Sequence, residues 1–270
     1  MFSSKKQLKE IGWFRNALYL FLVYKVLIYC TQFDELFSEH NLIYNCPKHT
    51  GFINDLAYEL TNHYSVRNSS ICVIIVFIMA MIGLLKKSNL VTNLVLWITI
   101  VNLNNYLYPT LTSGDYLLNQ LLLGNAFFSV KKSANPFVQD VKTILHNMAL
   151  IGIKTQICLA YVVAGIFKLN DPYWLDGSAI SHIIQIPEYS NSFLLSLPVF
   201  VCTLMTYLTV IYQLSFPITM LVRPLKKYAF MVGIMQHLLI AIAMGLFSFG
   251  IIMIISYLLF LEYDTGDKNH

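Results

Sequence analysis

Residues 144–169 read ILHNMALIGIKTQICLAYVVAGIFKL and are followed by Asp171 and Pro172. This run is longer than the roughly twenty mostly apolar residues that a helix needs to cross the hydrocarbon core of a bilayer. Its only fully charged residues are Lys154 and Lys168. Because proline has no backbone N–H and clashes with the preceding turn, Pro172 should stop the helix. The stretch therefore predicts a transmembrane helix.

The rest of the chain has the same character. Charged residues make up 12% of the sequence and hydrophobic residues 57%, whereas soluble domains carry about a quarter charged residues. So few charges cannot cover a water-exposed surface, and lipid must solvate much of this one. We predict an all-α membrane protein, a polytopic bundle of about eight transmembrane helices. The other seven apolar segments are residues 13–30, 71–85, 90–108, 116–130, 193–222, 228–244 and 247–261.

Charge alternates between successive loops, which predicts the orientation of the bundle. Cytoplasmic loops of membrane proteins are enriched in lysine and arginine. Here basic residues precede the first segment and fill every second loop, while acidic residues dominate the loops between. This pattern predicts that both termini are cytoplasmic. The basic residues are Lys5, Lys6, Lys9, Lys86, Lys87, Lys131, Lys132, Lys142, Arg223, Lys226 and Lys227.

The chain has no internal repeat or linker, which predicts one domain over residues 1–270 with outer loops at 31–70 and 170–192. The five cysteines have no metal-like spacing, so no metal site is predicted. Cys30 and Cys46 flank the start of the first outer loop, and the sequence is compatible with free thiols or with a disulfide. The basic residues form short clusters and no continuous stripe, which argues against nucleic-acid binding. The expected surroundings are the lipid bilayer.

A few polar residues interrupt the apolar segments. Ionisable groups within a membrane are costly and usually face the bundle interior or a cavity. Lys168 closes the fifth segment, where it is either an interfacial anchor or a base in an apolar cavity. His237 lies in the middle of the seventh segment, where it either bonds a neighbouring helix or meets a ligand. Asn104 and Asn105 end the third segment on the same outer side as Lys168.

Three stretches of sequence resemble the HTTM family, the membrane domain shared by vitamin K-dependent gamma-carboxylase and many bacterial multi-span proteins. The most specific is residues 161–170, YVVAGIFKLN, with Trp174 and Gly177 after it. The others are residues 104–108, NNYLY, and His237 with residues 245–250, GLFSFG.

The resemblance implies chemistry on an amphipathic or quinone-like substrate. In the carboxylase, the lysine that matches Lys168 is regarded as the base that deprotonates reduced vitamin K. By this resemblance Lys168 and His237 are the candidate catalytic residues, and Asn104, Asn105 and Trp174 are the candidate substrate-binding residues. A quinone-like ligand is expected only on this ground.

The departures from the carboxylase limit what the resemblance implies. The carboxylase has two consecutive lysines where this chain has Phe167 and Lys168, and an acidic residue where it has Asn170. No long β-rich region follows the last apolar segment, so carboxylation of a protein substrate is not expected.

Whether the chain is an enzyme stays open at this point. The alternative is a non-catalytic membrane component that assists maturation or export of a secreted peptide or protein, as in the bacterial sporulation-delaying toxin production membrane protein. That function requires a protein partner or a secreted peptide. A transporter is disfavoured because inverted repeats and paired broken helices are lacking. Richness in Ile, Asn, Lys and Tyr suggests a bacterium, which predicts the inner (plasma) membrane.

Overall fold

The computed structural model describes residues 5–37, 66–128 and 133–261, and every regular element in these ranges is helical. The chain divides into two compact units, Met1–Ala149 and Leu150–His270. The all-α prediction is thus confirmed.

In the first unit, neighbouring helices along the chain pack against one another. Helix α1 contacts α3, α3 contacts α4, and α4 contacts α5. Their shared core is aliphatic and aromatic, with Phe14, Leu22, Leu96, Ile100 and Leu118 essentially inaccessible to solvent. The helices are α1 Lys5–Thr31, α2 Phe33–Phe37, α3 Val66–Leu84, α4 Leu90–Tyr106 and α5 Ser113–Phe127.

Helix α6, Pro136–Leu169, begins in the first unit and continues into the second. In the second unit α10 contacts α11, α11 contacts α12, and the short helix α8 contacts α10. The remaining helices are α7 Pro172–Leu175, α8 Ala179–Ile183, α9 Ser192–Leu195, α10 Val199–Leu221, α11 Arg223–Ala243 and α12 Phe247–Tyr257. Single 3₁₀ turns occur at Tyr108–Thr110, Pro187–Tyr189 and Leu258–Phe260.

Four helices of the described residues are long and apolar enough to cross a bilayer, and two more are apolar but shorter. Each predicted apolar segment overlaps a helix, and segment 193–222 overlaps two, but the number of crossings and the side on which each terminus lies stay predictions. The four long segments are Ile11–Thr31, Pro136–Leu169, Val199–Leu221 and Pro224–Ala243, and the shorter ones are Asn68–Leu84 and Phe247–Phe260.

Prolines explain where several helices differ from the apolar segments. Helices α6 and α11 begin earlier than predicted, with Pro136 and Pro224 in their first turns, where a missing N–H costs nothing. Pro198 is the N-cap of α10, so the predicted segment 193–222 starts as a separate short helix. Pro217 lies inside α10.

The two predicted outer loops differ in how much of them the structure describes. Residues 38–65, including Cys46, lie outside the described residues, so the pairing of Cys30 with Cys46 stays open. The second loop contains α7, α8 and a 3₁₀ turn. Its compact local structure fixes the surroundings of Lys168.

Candidate functional site

Lys168 lies in the last turn of α6, where the predicted catalytic amine faces an aromatic ring. Its Nζ is 4.7 Å from the centroid of the Trp174 ring, a distance typical of a cation–π contact. The side chain is partly buried. Within the described ranges, Nζ has no hydrogen bond and no carboxylate partner. The structure therefore brings together the predicted base and one predicted substrate-binding residue.

The loop after α6 fixes the position of Trp174. Asp171 caps α7 and accepts a hydrogen bond from the Tyr173 N–H at 2.9 Å. Gly177 adopts φ +83°, and a Cβ at this position would lie 2.8 Å from the Thr203 methyl group. Only glycine adopts this backbone conformation freely and leaves this space. The turn therefore lies directly against α10.

Further hydrogen bonds join the loop to α10. The Tyr207 hydroxyl donates to the Leu175 carbonyl at 3.1 Å, and the Ile180 N–H donates to Thr206 Oγ1 at 3.2 Å. Asp176 is exposed, and hydrogen bonds from the Ser178 hydroxyl and backbone N–H hold the pKa of its carboxyl below the usual value. Trp174 is thus carried by a loop with defined anchors.

His237 lies in the middle of α11 and takes part in a chain of buried hydroxyl groups. Its Nε2 is 2.7 Å from the Tyr161 hydroxyl of α6. The Tyr161 hydroxyl also bonds the Tyr257 hydroxyl, which lies 3.1 Å from the Tyr212 hydroxyl. The Tyr212 hydroxyl donates to the Ala229 carbonyl at 3.1 Å. Four helices of the second unit therefore meet at these polar groups.

The chain of hydroxyls is enclosed by aromatic packing and by one close backbone approach. The Phe216 ring stacks on Tyr161 with centroids 4.0 Å apart. A Cβ on Gly233 would collide with the Tyr212 and Tyr257 hydroxyls, so glycine makes room for this hydrogen bond. His237 is 3% exposed. The cluster is therefore closed to bulk water.

Lys168 and the His237 cluster are related through α6. Tyr161 and Lys168 are seven residues apart, two turns on the same helix face, and about 10 Å along the axis. Their contacts differ: Lys168 meets Trp174, whereas His237 meets Tyr161, Phe249 and Tyr257.

The two predicted amides in the first unit have different surroundings. Asn104 is buried and its Nδ2 donates to Asn119 Oδ1 at 3.0 Å, whereas Asn105 is exposed. Consecutive helical residues point about 100° apart, so a paired-Asn motif on a helix cannot present both amides in one direction. Asn104 also has a buried Oδ1 with no partner among the described residues.

The first unit contains a buried ion pair between Lys25 of α1 and Asp115 of α5. The other Asp115 oxygen accepts hydrogen bonds from the Thr112 backbone N–H and hydroxyl, both at 2.9 Å. Lys25 Nζ also lies 5.6 Å from the Tyr29 ring centroid. Sequence reasoning did not find this pairing, because residues 90 apart in sequence carry no local signal of contact.

Sequence reasoning also missed the tyrosine cluster. Tyr161 belongs to the stretch that carried the family resemblance, but Tyr212 and Tyr257 belong to no motif. The available signal was three tyrosines within apolar segments, since a buried hydroxyl needs a hydrogen-bond partner.

Together these features define a helical membrane protein with buried polar groups inside its apolar helices. The family model of the HTTM domain matches residues 71–264, a range that includes Asn104, Lys168, Trp174 and His237. The chain belongs to the HTTM family. Searches of curated proteins and of solved structures give no significant match.

Proposed function

We propose that the chain is a membrane enzyme, or the membrane component of one, that uses Lys168 as a base on a quinone-like or other amphipathic substrate. The observation that carries the proposal is the surroundings of the amine. Among the described residues, Nζ lies over the Trp174 ring and has no anionic partner. A lysine at the end of an apolar helix with such surroundings is available to a ligand.

The proposed step is a proton transfer. A neutral Lys168 amine accepts the proton of a substrate hydroxyl: the O–H bond breaks, an N–H bond forms, and the electron pair stays on oxygen. The products are an ammonium and an oxyanion, which attract each other. The Trp174 ring then faces the new cation and stabilises it through its quadrupole. Lysine suits this role because its amine is compact and its stem is flexible.

The proposed topology places this chemistry on the outer side. With eight crossings and both termini cytoplasmic, the end of α6 and residues 170–192 lie on the outer face of a bacterial inner membrane. The alternation of basic and acidic loops supports this arrangement. The substrate would reach Lys168 from the outer leaflet.

A second candidate function is a non-catalytic one, the binding of a secreted peptide or protein during its maturation or export. It is supported by apolar side chains exposed around the second loop, among them Tyr173, Leu175, Phe193 and Leu195. These residues either lie in the lipid interface or contact a partner. Photo-crosslinking from position 175 in cells distinguishes the two: a discrete protein adduct supports a partner, whereas adducts with lipid alone contradict it.

The base function is tested by ligand binding in lipid nanodiscs. The chain has three tryptophans, so replacing Trp13 and Trp97 by phenylalanine leaves Trp174 as the reporter. The probe is a prenylated 1,4-naphthohydroquinone. We expect saturable quenching of Trp174 fluorescence and absorbance of the probe's oxyanion.

The variants separate charge from base strength. Lys168→Gln should weaken binding about tenfold or more, as expected for a lost hydrogen bond to a charged group. Lys168→Arg should retain binding but form no oxyanion, because arginine stays protonated in proteins. Lys154→Gln, on the same helix, is the matched control and should behave as the parent. Equal binding and equal oxyanion absorbance in Lys168→Gln and the parent would refute the proposal.

A further inference from the structure

The hydroxyl chain around His237 has a direction, because it ends on a group that can only accept. The Ala229 carbonyl has no proton to give, so the Tyr212 hydroxyl must donate to it. A hydroxyl has one proton. Tyr212 therefore accepts from Tyr257, and Tyr257 accepts from Tyr161. Tyr161 has then used its proton and must accept from His237 Nε2.

This direction fixes the tautomer of the imidazole. A neutral histidine carries one N–H, and here the chain requires that proton on Nε2. The other ring nitrogen, Nδ1, is then unprotonated and has a lone pair that can accept a hydrogen bond. Among the described residues nothing hydrogen-bonds Nδ1, and it is buried. A buried acceptor without a partner is costly, so its presence requires an explanation.

The row of tyrosine hydroxyls also favours positive charge on the imidazole ring. Each hydroxyl turns its oxygen toward the histidine and its proton toward Ala229. The partial negative charges of these aligned dipoles therefore face His237 Nε2–H. Hydrogen bonds in such a chain polarise one another. Any proton or partial positive charge received at Nδ1 is stabilised through the ring.

We infer that His237 Nδ1 is the acceptor for a ligand that donates an O–H group, and that Tyr161, Tyr257 and Tyr212 set this role by fixing the tautomer. The resemblance had named His237 as a candidate catalytic residue, and the tautomer gives its Nδ1 the role of acceptor. The ligand class is an amphipathic alcohol, phenol or hydroquinone, because the surroundings of His237 are apolar and its Nδ1 lacks one hydrogen-bond donor. The inference deepens the proposed function and rests on it for the nature of the substrate. The tautomer itself depends on neither Lys168 nor a substrate.

The tautomer is measured by ¹⁵N NMR of histidine-labelled protein in nanodiscs, with the His237 signals assigned by their loss in His237→Gln. We expect a protonated Nε2 and an unprotonated Nδ1. In Tyr257→Phe the chain is cut, so Tyr161 is free to donate to Nε2 and the proton should move to Nδ1. Tyr228→Phe is the matched control, an exposed tyrosine on the helix that carries His237, and should leave the tautomer unchanged.

The acceptor role is measured with two probes, a prenylated 1,4-naphthohydroquinone and its dimethyl ether, which lacks O–H donors. With Lys168→Gln as the common background, so that the proposed base does not contribute, we expect the hydroquinone to bind about tenfold more tightly than the ether, the value of one good hydrogen bond. Tyr257→Phe should lose most of this preference, whereas Tyr228→Phe should keep it.

Three results would overturn the inference: a protonated Nδ1 in the parent, an unchanged tautomer in Tyr257→Phe, or equal binding of the two probes in the Lys168→Gln background. The Lys168→Gln variant separates this inference from the proposed base. If that variant binds as the parent does and the tautomer is as expected, the base function fails while the histidine acceptor stands.

Discussion

The buried ion pair of the first unit and the two candidate catalytic residues of the second unit differ in whether their polar groups have partners. In the first unit, Lys25 and Asp115 pair, and the remaining Asp115 oxygen is occupied by Thr112. Among the described residues of the second unit, Lys168 faces a ring and has no anionic partner, and His237 has one ring nitrogen without a hydrogen-bond partner. Charges that satisfy one another hold helices together. Polar groups inside apolar helices that lack a hydrogen-bond or ion-pair partner are the ones available to a ligand.

Removing one member of the Lys25–Asp115 ion pair should give the largest loss of stability. Asp115→Ala leaves the Lys25 ammonium buried without its counter-charge, and we expect the free energy of unfolding to fall by about 3–5 kcal/mol. Reversible unfolding in mixed detergent micelles measures this. Asp140→Ala, an exposed acid of the same unit, should change stability by less than about 0.5 kcal/mol. A loss below about 1 kcal/mol for Asp115→Ala would mean that the pair is not buried as described.

The next largest effect should come from filling the space beside the tyrosine hydroxyls. The methyl group of Gly233→Ala collides with Tyr212 and Tyr257, and overpacking of this kind costs about 1–3 kcal/mol. Gly152→Ala is the control, because a Cβ there meets nothing within 4 Å; it should be neutral or stabilising, by up to about 1 kcal/mol. The same unfolding assay applies. Equal stabilities of the two variants would contradict the close approach at Gly233.

Lys168→Gln should leave stability nearly unchanged, within about 0.5 kcal/mol, while it impairs probe binding. The physical reason is that no carboxylate among the described residues loses its partner. A loss of binding without a loss of stability is what we expect for a charged group that has no ion-pair partner among the described residues. A loss similar to that of Asp115→Ala would show that Lys168 has a structural role instead.

The smallest expected effect concerns Asp176, in the loop that carries Trp174. Its folded-state pKa is lowered by the hydrogen bonds from Ser178, so their contribution is present above the unfolded value of about 3.9 and is lost as the pH falls through the folded pKa. A carboxyl ¹³C NMR titration should give a midpoint below about 3.9, and Ser178→Ala should raise it toward that value. An unchanged midpoint in Ser178→Ala would assign the shift to the backbone N–H alone.

Much of the fold could be predicted because lipid imposes a simple rule on sequence. Each apolar segment overlaps a helix, since a backbone in hydrocarbon must satisfy its own hydrogen bonds. Helices α6 and α11 begin before the predicted apolar segments, because their first turns are polar and hydropathy cannot distinguish a polar helical turn from a loop. Pro136 and Pro224 were the available signal.

Less of the candidate site could be predicted, because its contacts join distant parts of the chain. The resemblance identified Lys168, Trp174 and His237, and the structure gives the first two a shared contact. Tyr161, the hydrogen-bond partner of His237, lies 76 residues before it in the sequence, and Tyr161 is 96 residues from its other partner, Tyr257. Such pairings depend on helix packing, which a single sequence does not encode locally.

Helix α6 is longer than a bilayer crossing requires. Its 34 residues extend about 51 Å, whereas the hydrocarbon core is about 30 Å thick. Even at a tilt of roughly 40°, a crossing takes only about 26 residues. About eight residues must then stand in water or among headgroups, and the first eight, from Pro136 to Thr143, include Gln139, Asp140 and Lys142. We therefore expect the hydrocarbon boundary near residue 144, so that the first two turns of this unbroken helix extend beyond the bilayer.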